Sequence, residues 1–147
     1  MIALIQRVTH ASVEVNQRII GDIKQGLLVF LGVEKNDTET QADRLIDKVL
    51  SYRVFADAND KMNLSVKDIN GELLLVPQFT LAADTQSGNR PSFSPAASPE
   101  KGEALFNYCV EQAKRKYERI ELGQFGADMK VSLLNDGPVT FLLQVKA

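Results

Sequence analysis

Leu27-Leu28-Val29-Phe30-Leu31-Gly32-Val33 is a run of seven residues in the first quarter of the chain. It is continuously apolar apart from Gly32, and such a run is typical of a buried central strand. A similar run, Leu73-Leu74-Leu75-Val76, comes shortly after the turn dipeptide Asn70-Gly71. This second run predicts another buried strand that begins just after a turn.

Working outward from these two runs, the sequence predicts further strands. Residues 3–15 predict a strand whose alternate side chains face opposite ways, and Asn16-Gln17 predicts a turn after it. Residues 18–23 then predict the return strand. Residues 53–55 predict a short strand, and residues 57–63, which are rich in Asp and Asn, predict a loop.

Two segments predict long amphipathic helices. Residues 38–52 carry apolar side chains at three- and four-residue spacing, and Asp37 and Thr38 are candidate N-caps. The second helix begins at Ser98-Pro99-Glu100, which supplies an N-cap, a proline at the first position and an acid in the first turn. It ends at Lys114-Arg115-Lys116, whose positive charges suit the C-terminal end of a helix.

The last part of the sequence predicts two more strands, over residues 129–134 and 139–145, joined by Asn135-Asp136-Gly137-Pro138 as in an ordinary hairpin turn. In total we expect roughly seven or eight strands and two long helices that do not alternate regularly. This pattern favours an α+β fold with curved, largely antiparallel, barrel-like β-sheets covered by the two helices. We expect a single domain over residues 1–147, with the last strand at an edge or an interface.

The composition is that of an ordinary globular chain of 147 residues with a net charge of −2. This charge argues against a broad basic face for duplex nucleic acid, but not against a local contact with a nucleic-acid end. The single Cys109 cannot form an internal disulfide, which fits a reducing cytoplasm. A charge at Arg7 comes too early for a signal peptide, and no apolar run approaches the roughly 20 residues that span a bilayer. We therefore expect a cytoplasmic protein with no membrane partner.

Few residues could perform conventional side-chain catalysis. His10 is the single histidine and lies in the alternating first strand, where a structural role is favoured over that of a general base. Cys109 falls on the apolar stripe of the second helix, so a buried side chain is favoured over a nucleophile. No ligand spacing indicates a zinc site, and the glycines form neither a phosphate-binding loop nor a dinucleotide fingerprint. We expect no cofactor and no metal.

Two other segments carry exposed polar groups at the end of an apolar run. Pro77-Gln78-Phe79-Thr80-Leu81 places Thr80 where the chain leaves a buried strand, although a β-prone threonine at a strand end is an equally good interpretation. The second segment is Asn135-Asp136-Gly137-Pro138-Val139-Thr140. Residues 82–99 predict a long loop, which in a compact domain is more often functional than accidental. If the two segments form a site, it works through backbone groups and small hydroxyls.

These two segments resemble the signature motifs of the D-aminoacyl-tRNA deacylases, the D-tyrosyl-tRNA(Tyr) deacylase family. Further similarities are Gln6-Arg7-Val8 near the start, Gly88-Asn89-Arg90-Pro91-Ser92-Phe93 in the long loop, and Ala127-Asp128-Met129. The similar segments occur in the family's order along nearly the whole chain. The resemblance is therefore much more specific than any one motif.

The resemblance implies a cytoplasmic homodimer that hydrolyses the ester of D-aminoacyl-tRNA, and of mischarged glycyl-tRNA, at the 3′-terminal adenosine. It also implies that backbone N–H groups near Gln78, Phe79 and Thr80 bind the carbonyl oxygen of the ester. The neighbouring ribose 2′-hydroxyl would help to activate water. Such RNA-assisted catalysis agrees with the shortage of side-chain catalysts.

The resemblance further implies how D and L amino acids are distinguished. Gly137-Pro138 would have a cis peptide bond and enter the partner subunit's pocket, with its two carbonyls facing the α-carbon of the substrate. An L side chain would collide with these carbonyls, whereas a D side chain points away. Arg7 would hold the carbonyls in orientation by charge-assisted hydrogen bonds. Met129 and Phe125 would belong to the same substrate-binding set.

Three alternatives stay open. One is a non-catalytic module that binds the end of tRNA, in keeping with the shortage of side-chain catalysts. A second makes Thr80 a covalent nucleophile, although the sequence shows no base beside it to activate its hydroxyl. A third is a relative that removes L-alanine from the wrong tRNA and has the Gly-Pro bond in trans; Asn-Asp-Gly-Pro together with Arg7 resembles the D-specific type more closely.

One position departs from the family's pattern. The family usually has Ser where this chain has Pro77, and proline lacks both the hydroxyl and the backbone N–H. We expect activity not to depend on this position, because the proposed backbone donors begin at Gln78. Asn89 stands where the family often has Met, and we assign it no role.

Overall fold

The computed structural model describes residues 1–147 and contains eight β-strands, two α-helices and one short 3₁₀ helix, Phe79–Ala82. The predicted numbers of strands and long helices are therefore confirmed. The helices are α1 (Glu39–Ser51) and α2 (Pro99–Lys116). The strands are β1 (Ile2–Val15), β2 (Arg18–Ile23), β3 (Gly26–Gly32), β4 (Phe55–Ala56), β5 (Met62–Leu64), β6 (Glu72–Pro77), β7 (Ile120–Leu122) and β8 (Lys130–Gln144).

Six strands form one mixed sheet, in which five follow the order β2-β1-β3-β6-β7. The sixth strand, β8, also pairs with β1, along nearly its whole length. The pairs that involve β1 are antiparallel, whereas β3-β6 and β6-β7 are parallel. The sheet curves until β2 approaches β7: a Cβ atom built on Gly21 would lie 2.7 Å from the carbonyl oxygen of Leu122. The predicted α+β fold with a curved, nearly closed, largely antiparallel sheet is thus confirmed.

The sheet has buried side chains on both of its faces, which explains why its central strands are apolar without alternation. Val29 and Leu75 face a large core beneath α1 and α2. Their neighbours Leu28 and Leu74 face a smaller core inside the curve of the sheet. All four side chains are fully buried. The two runs that predicted buried strands therefore lie side by side at the centre of the sheet, with Leu31 paired to Pro77 at their carboxyl ends.

Both helices begin close to the predicted residues. Thr38 is the N-cap of α1 and forms a capping box, in which the Thr38 N–H donates to the side-chain oxygen of Gln41 at 2.7 Å. Asp37, the other candidate cap, is instead buried, and its carboxylate accepts a 2.8 Å hydrogen bond from the α-amino group of Met1. Ser98 caps α2 by accepting the N–H of Lys101. Neither helix combines the length and the apolar character needed to cross a membrane.

The loop predicted over residues 57–63 is only partly correct. Met62 and Asn63 belong to β5, which pairs with β4. The reason is local: one carboxylate oxygen of Asp57 accepts the N–H groups of Asn59 at 2.8 Å and Lys61 at 3.0 Å. These bonds fold the Asp- and Asn-rich segment into a tight turn, and the turn brings the two short strands together.

Candidate functional site

A cavity of about 810 Å³ opens at the carboxyl ends of β3 and β6. Its volume is within the range of small-molecule sites, and its walls are mostly apolar. Strands β3, β6 and the start of β8 form one wall, and the segment before α2, the first turns of α2 and the segment before β8 form the other. The lining includes Phe30, Val76, Pro77, Gln78, Phe79, Thr80, Phe93, Phe106, Phe125, Met129 and Val131.

Beside this cavity the chain leaves β6, and the hydrogen bonds of the parallel ladder give way to those of the 3₁₀ helix. The N–H of Gln78 donates to the carbonyl oxygen of Leu31 at 2.8 Å, so it continues the parallel ladder. The N–H groups of Phe79 and Thr80 lie in the first turn of the 3₁₀ helix, where the helix itself offers them no acceptor and no side chain caps them. Of the backbone N–H groups expected near Gln78, Phe79 and Thr80, that of Gln78 is therefore already occupied, and the other two stay the predicted donors.

The hydroxyl of Thr80 has a partner that cannot act as a base. Its Oγ1 accepts a 3.0 Å hydrogen bond from Nε2 of Gln78, a neutral amide group that only donates. The structure places no carboxylate, imidazole or amine within hydrogen-bonding distance of this hydroxyl. Thr80 is therefore positioned by Gln78 rather than activated by it.

Two exposed aromatic rings border the opening of the cavity. The rings of Phe79 and Phe93 have centroids 5.2 Å apart and are tilted by 52°. Phe93 lies in the long proline-containing segment that the sequence predicts as a loop, and an antiparallel bridge between Asp84 and Ser92 closes part of that segment. The segment thus supplies one side of the opening.

Phe125 and Met129 also line the cavity, and their place in the substrate-binding set stays a prediction. Gly102 of α2 lets the ring of Phe125 approach the helix, because a Cβ atom at this glycine would lie 3.4 Å from the ring. The sulfur of Met129 packs against Gly123, where a Cβ atom would lie 3.0 Å from it. Small neighbouring residues therefore make room for these two large apolar side chains.

The second motif does not form the predicted hairpin turn. The two predicted strands are one strand, β8, and both of its halves pair with β1. Gln6 pairs with Thr140 and Val8 pairs with Asn135, so four residues of β8 stand opposite Arg7 alone. Residues 136–139 therefore form a large bulge (the 136–139 bulge), which is a feature that projects a segment out of a ladder rather than reversing the chain.

The tip of the 136–139 bulge is exposed. Gly137 and Pro138 face solvent, and the peptide bond between them is cis. Gly137 has a φ of 135°, a backbone conformation that favours glycine. A Cβ atom at Gly137 would lie 2.6 Å from Cγ2 of Val139. Both the backbone conformation and the lack of space therefore require glycine at this position.

Arg7 supports the bulge from β1, but not through the expected carbonyls. Its Nε donates to the carbonyl oxygen of Asp136 at 3.1 Å, and its Nη1 donates to that of Val54 at 2.7 Å. The carboxylate of Asp136 lies 3.6 Å from the same Nε. Arg7 thus holds the residue before Gly137 and makes no hydrogen bond to the carbonyls of Gly137 or Pro138.

The bulge and the cavity are separate within one chain. Val131 of β8 lines the cavity and pairs with Val13, whereas Asn135 at the base of the bulge pairs with Val8. Along an extended strand, Val8 and Val13 are about 16 Å apart at roughly 3.3 Å per residue. The structure therefore brings Gln78, Phe79, Thr80, Phe125 and Met129 together and leaves Arg7, Gly137 and Pro138 elsewhere.

The remaining candidates lie outside the cavity. His10 is exposed on β1 and contacts only the hydroxyl of Thr9, at 3.5 Å. Cys109 is buried in the core, as predicted, and burial raises the pKa of its thiol from 9.0 to about 12. No group of three or more His, Cys, Asp or Glu side chains is arranged to hold a metal ion.

Some lining residues carry no signal in the sequence. Phe30, Phe106 and Val131 look like ordinary core residues of a strand, a helix and a strand, and only the packing of these elements turns them toward the cavity. Phe93 had a signal, since it ends the loop segment that resembles the family. Pro77 lines the cavity with its ring, at the position where the family usually has Ser.

Comparison with known proteins places the chain in a family. The family described as D-Tyr-tRNA(Tyr) deacylase matches residues 4–144. The chain belongs to this family of hydrolases, as its motifs predict.

Individual relatives are similar over their full length. A protein of Janthinobacterium sp. (strain Marseille) named D-aminoacyl-tRNA deacylase is 64% identical over 146 residues, which cover 99% of this chain and 98% of that protein. One of the same name from Photorhabdus laumondii subsp. laumondii is 60% identical over 145 residues, which cover 99% of this chain and 100% of that protein.

Two solved structures share the fold. One described as "c-Myc DNA Unwinding Element Binding Protein" is 41% identical, with a TM-score of 0.96 and 100% of both chains covered. One described as "Structural Analysis of a probable eukaryotic D-amino acid tRNA deacylase" has a TM-score of 0.86 and covers 98% of each chain. Its sequence is 14% identical, so this likeness concerns the fold alone.

Proposed function

We propose that this protein hydrolyses the ester bond of D-aminoacyl-tRNA and releases the free D-amino acid and tRNA. Full-length similarity to relatives named D-aminoacyl-tRNA deacylase supports this substrate class. The observation that carries the proposal is the uncapped start of the 3₁₀ helix, with the N–H groups of Phe79 and Thr80, beside the apolar cavity. Such donors suit an ester carbonyl, whose oxygen becomes negatively charged during attack by water.

The backbone donors perform the part of catalysis that belongs to the protein. The N–H groups of Phe79 and Thr80 stabilise the oxyanion, and removal of one such donor in other hydrolases costs roughly 10²–10³ in rate. The 2′-hydroxyl of the terminal ribose assists the attacking water, because the Thr80 hydroxyl is hydrogen-bonded to the amide of Gln78, which is not a base. The substrate RNA thereby supplies the group that the cavity lacks.

Discrimination between D and L amino acids belongs to the 136–139 bulge. The backbone carbonyls of Gly137 and Pro138 face the α-carbon of the substrate and exclude an L side chain by collision. A glycyl ester has no side chain to exclude, so mischarged glycyl-tRNA is a second substrate. Steric exclusion of this kind distinguishes mirror images without requiring attraction to any one side chain, and D-amino acids of different sizes are accepted.

A homodimer brings the bulge to the cavity. Within one chain the two are far apart, and Gly137 and Pro138 are exposed. The outer edge of β8 is unpaired and carries large exposed apolar side chains: Leu134, Phe141 and Leu142. Burying such an edge against a second copy removes both the unpaired backbone and the apolar surface from water. The bulge of one subunit then enters the cavity of the other, in the cytoplasm, where charged tRNA is found.

Each alternative is weaker on a specific observation. A covalent role for Thr80 lacks a base, since its hydroxyl contacts only Gln78. A module that only binds tRNA ends would use the aromatic opening formed by Phe79 and Phe93 for stacking of a base, but the chain belongs to a family of hydrolases. The L-alanine-specific relative is less similar in the segment Asn135-Asp136-Gly137-Pro138 and at Arg7.

Product analysis separates these functions. Purified protein is mixed with D-tyrosyl-tRNA, and free D-tyrosine is measured beside tRNA retained by the protein. The deacylase releases D-tyrosine with multiple turnovers, whereas a binding module retains tRNA and releases none. A substrate that ends in 2′-deoxyadenosine tests RNA assistance, because it lacks the assisting hydroxyl and should be hydrolysed at least about tenfold more slowly.

A further inference from the structure

The 136–139 bulge is closed at its base by side chains rather than by the sheet. Its two flanking residues, Asn135 and Thr140, belong to the ladder with β1, while the four residues between them do not. Nδ2 of Asn135 donates to Oγ1 of Thr140 at 2.9 Å. This bond spans the opening of the bulge and joins the points at which the chain leaves and re-enters the ladder.

Asn135 also binds inside the bulge. Its Oδ1 accepts the N–H of Val139 at 3.1 Å. Since a backbone N–H can only donate, the side-chain oxygen must face Val139, and the NH₂ group then faces Thr140. Asn135 therefore uses both ends of one side-chain amide, which an aspartate could not do because it has no donor when ionised.

A third side chain completes the arrangement from the neighbouring strand. Nε2 of Gln6 donates to Oγ1 of Thr140 at 3.2 Å. The Thr140 hydroxyl oxygen thus accepts two hydrogen bonds, which occupies both of its lone pairs. Gln6, Asn135 and Thr140 together, here called the bulge clamp, connect β1 to both ends of the bulge. None of the three lines the cavity.

We propose that the bulge clamp sets the position of Gly137 and Pro138 and thereby determines the selectivity between D and L substrates. This inference rests on the proposed function, since it assigns residues that position its selective element. The three side chains are positioning residues: they contact neither substrate nor the backbone donors. Arg7 holds the bulge at Asp136, and the clamp holds it at Val139, so each side of Gly137-Pro138 has its own support.

Variants at Thr140 test the proposal with a minimal change. Thr140→Val removes the hydroxyl at nearly constant shape, and Thr140→Ser restores it. Thr9→Val is the matched control, because Thr9 is an exposed threonine of β1 outside the clamp. The measured quantities are kcat and KM for D-tyrosyl-tRNA and L-tyrosyl-tRNA, together with hydrogen exchange at the Val139 amide and at amides of the core strands.

A positioning role of the bulge clamp predicts a loss of selectivity without a loss of the fold. Thr140→Val should lower the ratio of D to L hydrolysis by about tenfold or more, as expected when hydrogen bonds that hold a selective group are lost. Thr140→Ser should stay within about twofold of the wild type, and Thr9→Val should leave the ratio unchanged. Exchange of the Val139 amide should accelerate in Thr140→Val while amides of β3 stay protected, which excludes general unfolding as the cause.

The outcomes also separate this inference from the function on which it rests. A D-selective wild type with an equally selective Thr140→Val variant overturns the clamp and leaves the deacylase function intact. A wild type that hydrolyses neither ester overturns both. If Thr140→Val does not fold, Asn135→Ala, which removes both hydrogen bonds of the Asn135 side chain, takes its place and should lower the D to L ratio in the same direction.

Discussion

Nε of Arg7 donates a 3.1 Å hydrogen bond to the carbonyl oxygen of Asp136, and this contact ties the first strand to the residue just before Gly137. The same guanidinium donates to Val54 through Nη1 at 2.7 Å. One side chain therefore links the bulge to the segment that follows α1. Because both bonds come from one rigid planar group, the position of the bulge depends on the position of that group.

Replacement of Arg7 by lysine should loosen the bulge. A lysine has one nitrogen and cannot reproduce the planar fork that reaches both carbonyls. We expect the ratio of D to L hydrolysis to fall by about tenfold and the free energy of unfolding to decrease by about 1–2 kcal/mol. Kinetics on the two esters and thermal unfolding provide the measurements, and Arg18→Lys on exposed β2 is the control. Unaltered selectivity in Arg7→Lys would contradict a positioning role.

Gly137→Ala should damage the selective element directly. The new methyl group would lie 2.6 Å from Cγ2 of Val139 and 3.2 Å from Arg7, at a φ of 135° that disfavours alanine. We expect chiral selection or turnover to fall by at least about tenfold, given a local backbone cost of roughly 1–3 kcal/mol. Gly88→Ala is the matched control, since Gly88 also has a positive φ, of 67°, but nothing within 4 Å. Full activity with full rejection of L-tyrosyl-tRNA in Gly137→Ala would speak against this role.

Thr80→Ala should retain most of the turnover. The backbone N–H of residue 80 is kept in this variant, and only the hydroxyl bound by Gln78 is lost. We expect kcat for D-tyrosyl-tRNA to fall by much less than tenfold relative to the wild type, because the lost contact is a single neutral hydrogen bond. A fall of several orders of magnitude in Thr80→Ala, together with normal turnover in Thr80→Ser, would favour the covalent mechanism.

Leu142→Lys should dissociate the proposed homodimer. Leu142 is 61% exposed on β8, and a charge there would be desolvated on the edge expected to meet the second copy. We expect a monomer in sedimentation equilibrium and loss of deacylation, because the bulge no longer reaches a partner's cavity. Met62→Lys, at another exposed apolar residue, should remain dimeric and active. An active Leu142→Lys monomer would remove the need for a second subunit.

Cys109 should be inert in the native state. Burial raises the pKa of its thiol to about 12, so very little thiolate is present at pH 8 and iodoacetamide should label it only after unfolding.

The raised pKa of Cys109 also determines how the stability of the fold changes with pH. Folding favours the protonated thiol, so this contribution to stability is fully present below the unfolded pKa of about 9 and is lost as the pH rises toward 12. Cys109→Ala should weaken the loss of stability between these two pH values, and rapid native labelling at pH 8 would contradict the burial.

Local patterns in the sequence were sufficient to predict the elements whose formation depends on residues close to them in the chain. The apolar runs around Val29 and Leu75 predicted the central strands, because both faces of the sheet are covered. Capping residues placed the start of both helices within a residue or two, since a cap acts on its own first turn. The motifs identified the family, and one of them, Gln78-Phe79-Thr80, lines the cavity.

Local sequence patterns could not predict which distant strands pair with each other, or in which register. Asn135-Asp136-Gly137-Pro138 has the composition of a turn, and only the pairing of both halves of β8 with β1 makes it a bulge. The N–H of Gln78 is used by Leu31, which depends on the register of β3 against β6. That register occupies the N–H of Gln78, whereas the roles of Phe79 and Thr80 as donors stay predictions.

Chiral selectivity of the protein can be measured by comparing the hydrolysis of two esters that differ only in the configuration of the amino acid. Purified protein is incubated with D-tyrosyl-tRNA and with L-tyrosyl-tRNA under identical conditions, and the release of each tyrosine is followed against the spontaneous hydrolysis of each ester. Rapid release of D-tyrosine, with L-tyrosine released at the spontaneous rate, is the expected result. Release of both at similar rates would contradict exclusion by the Gly137-Pro138 carbonyls, and release of neither would contradict the deacylase function itself.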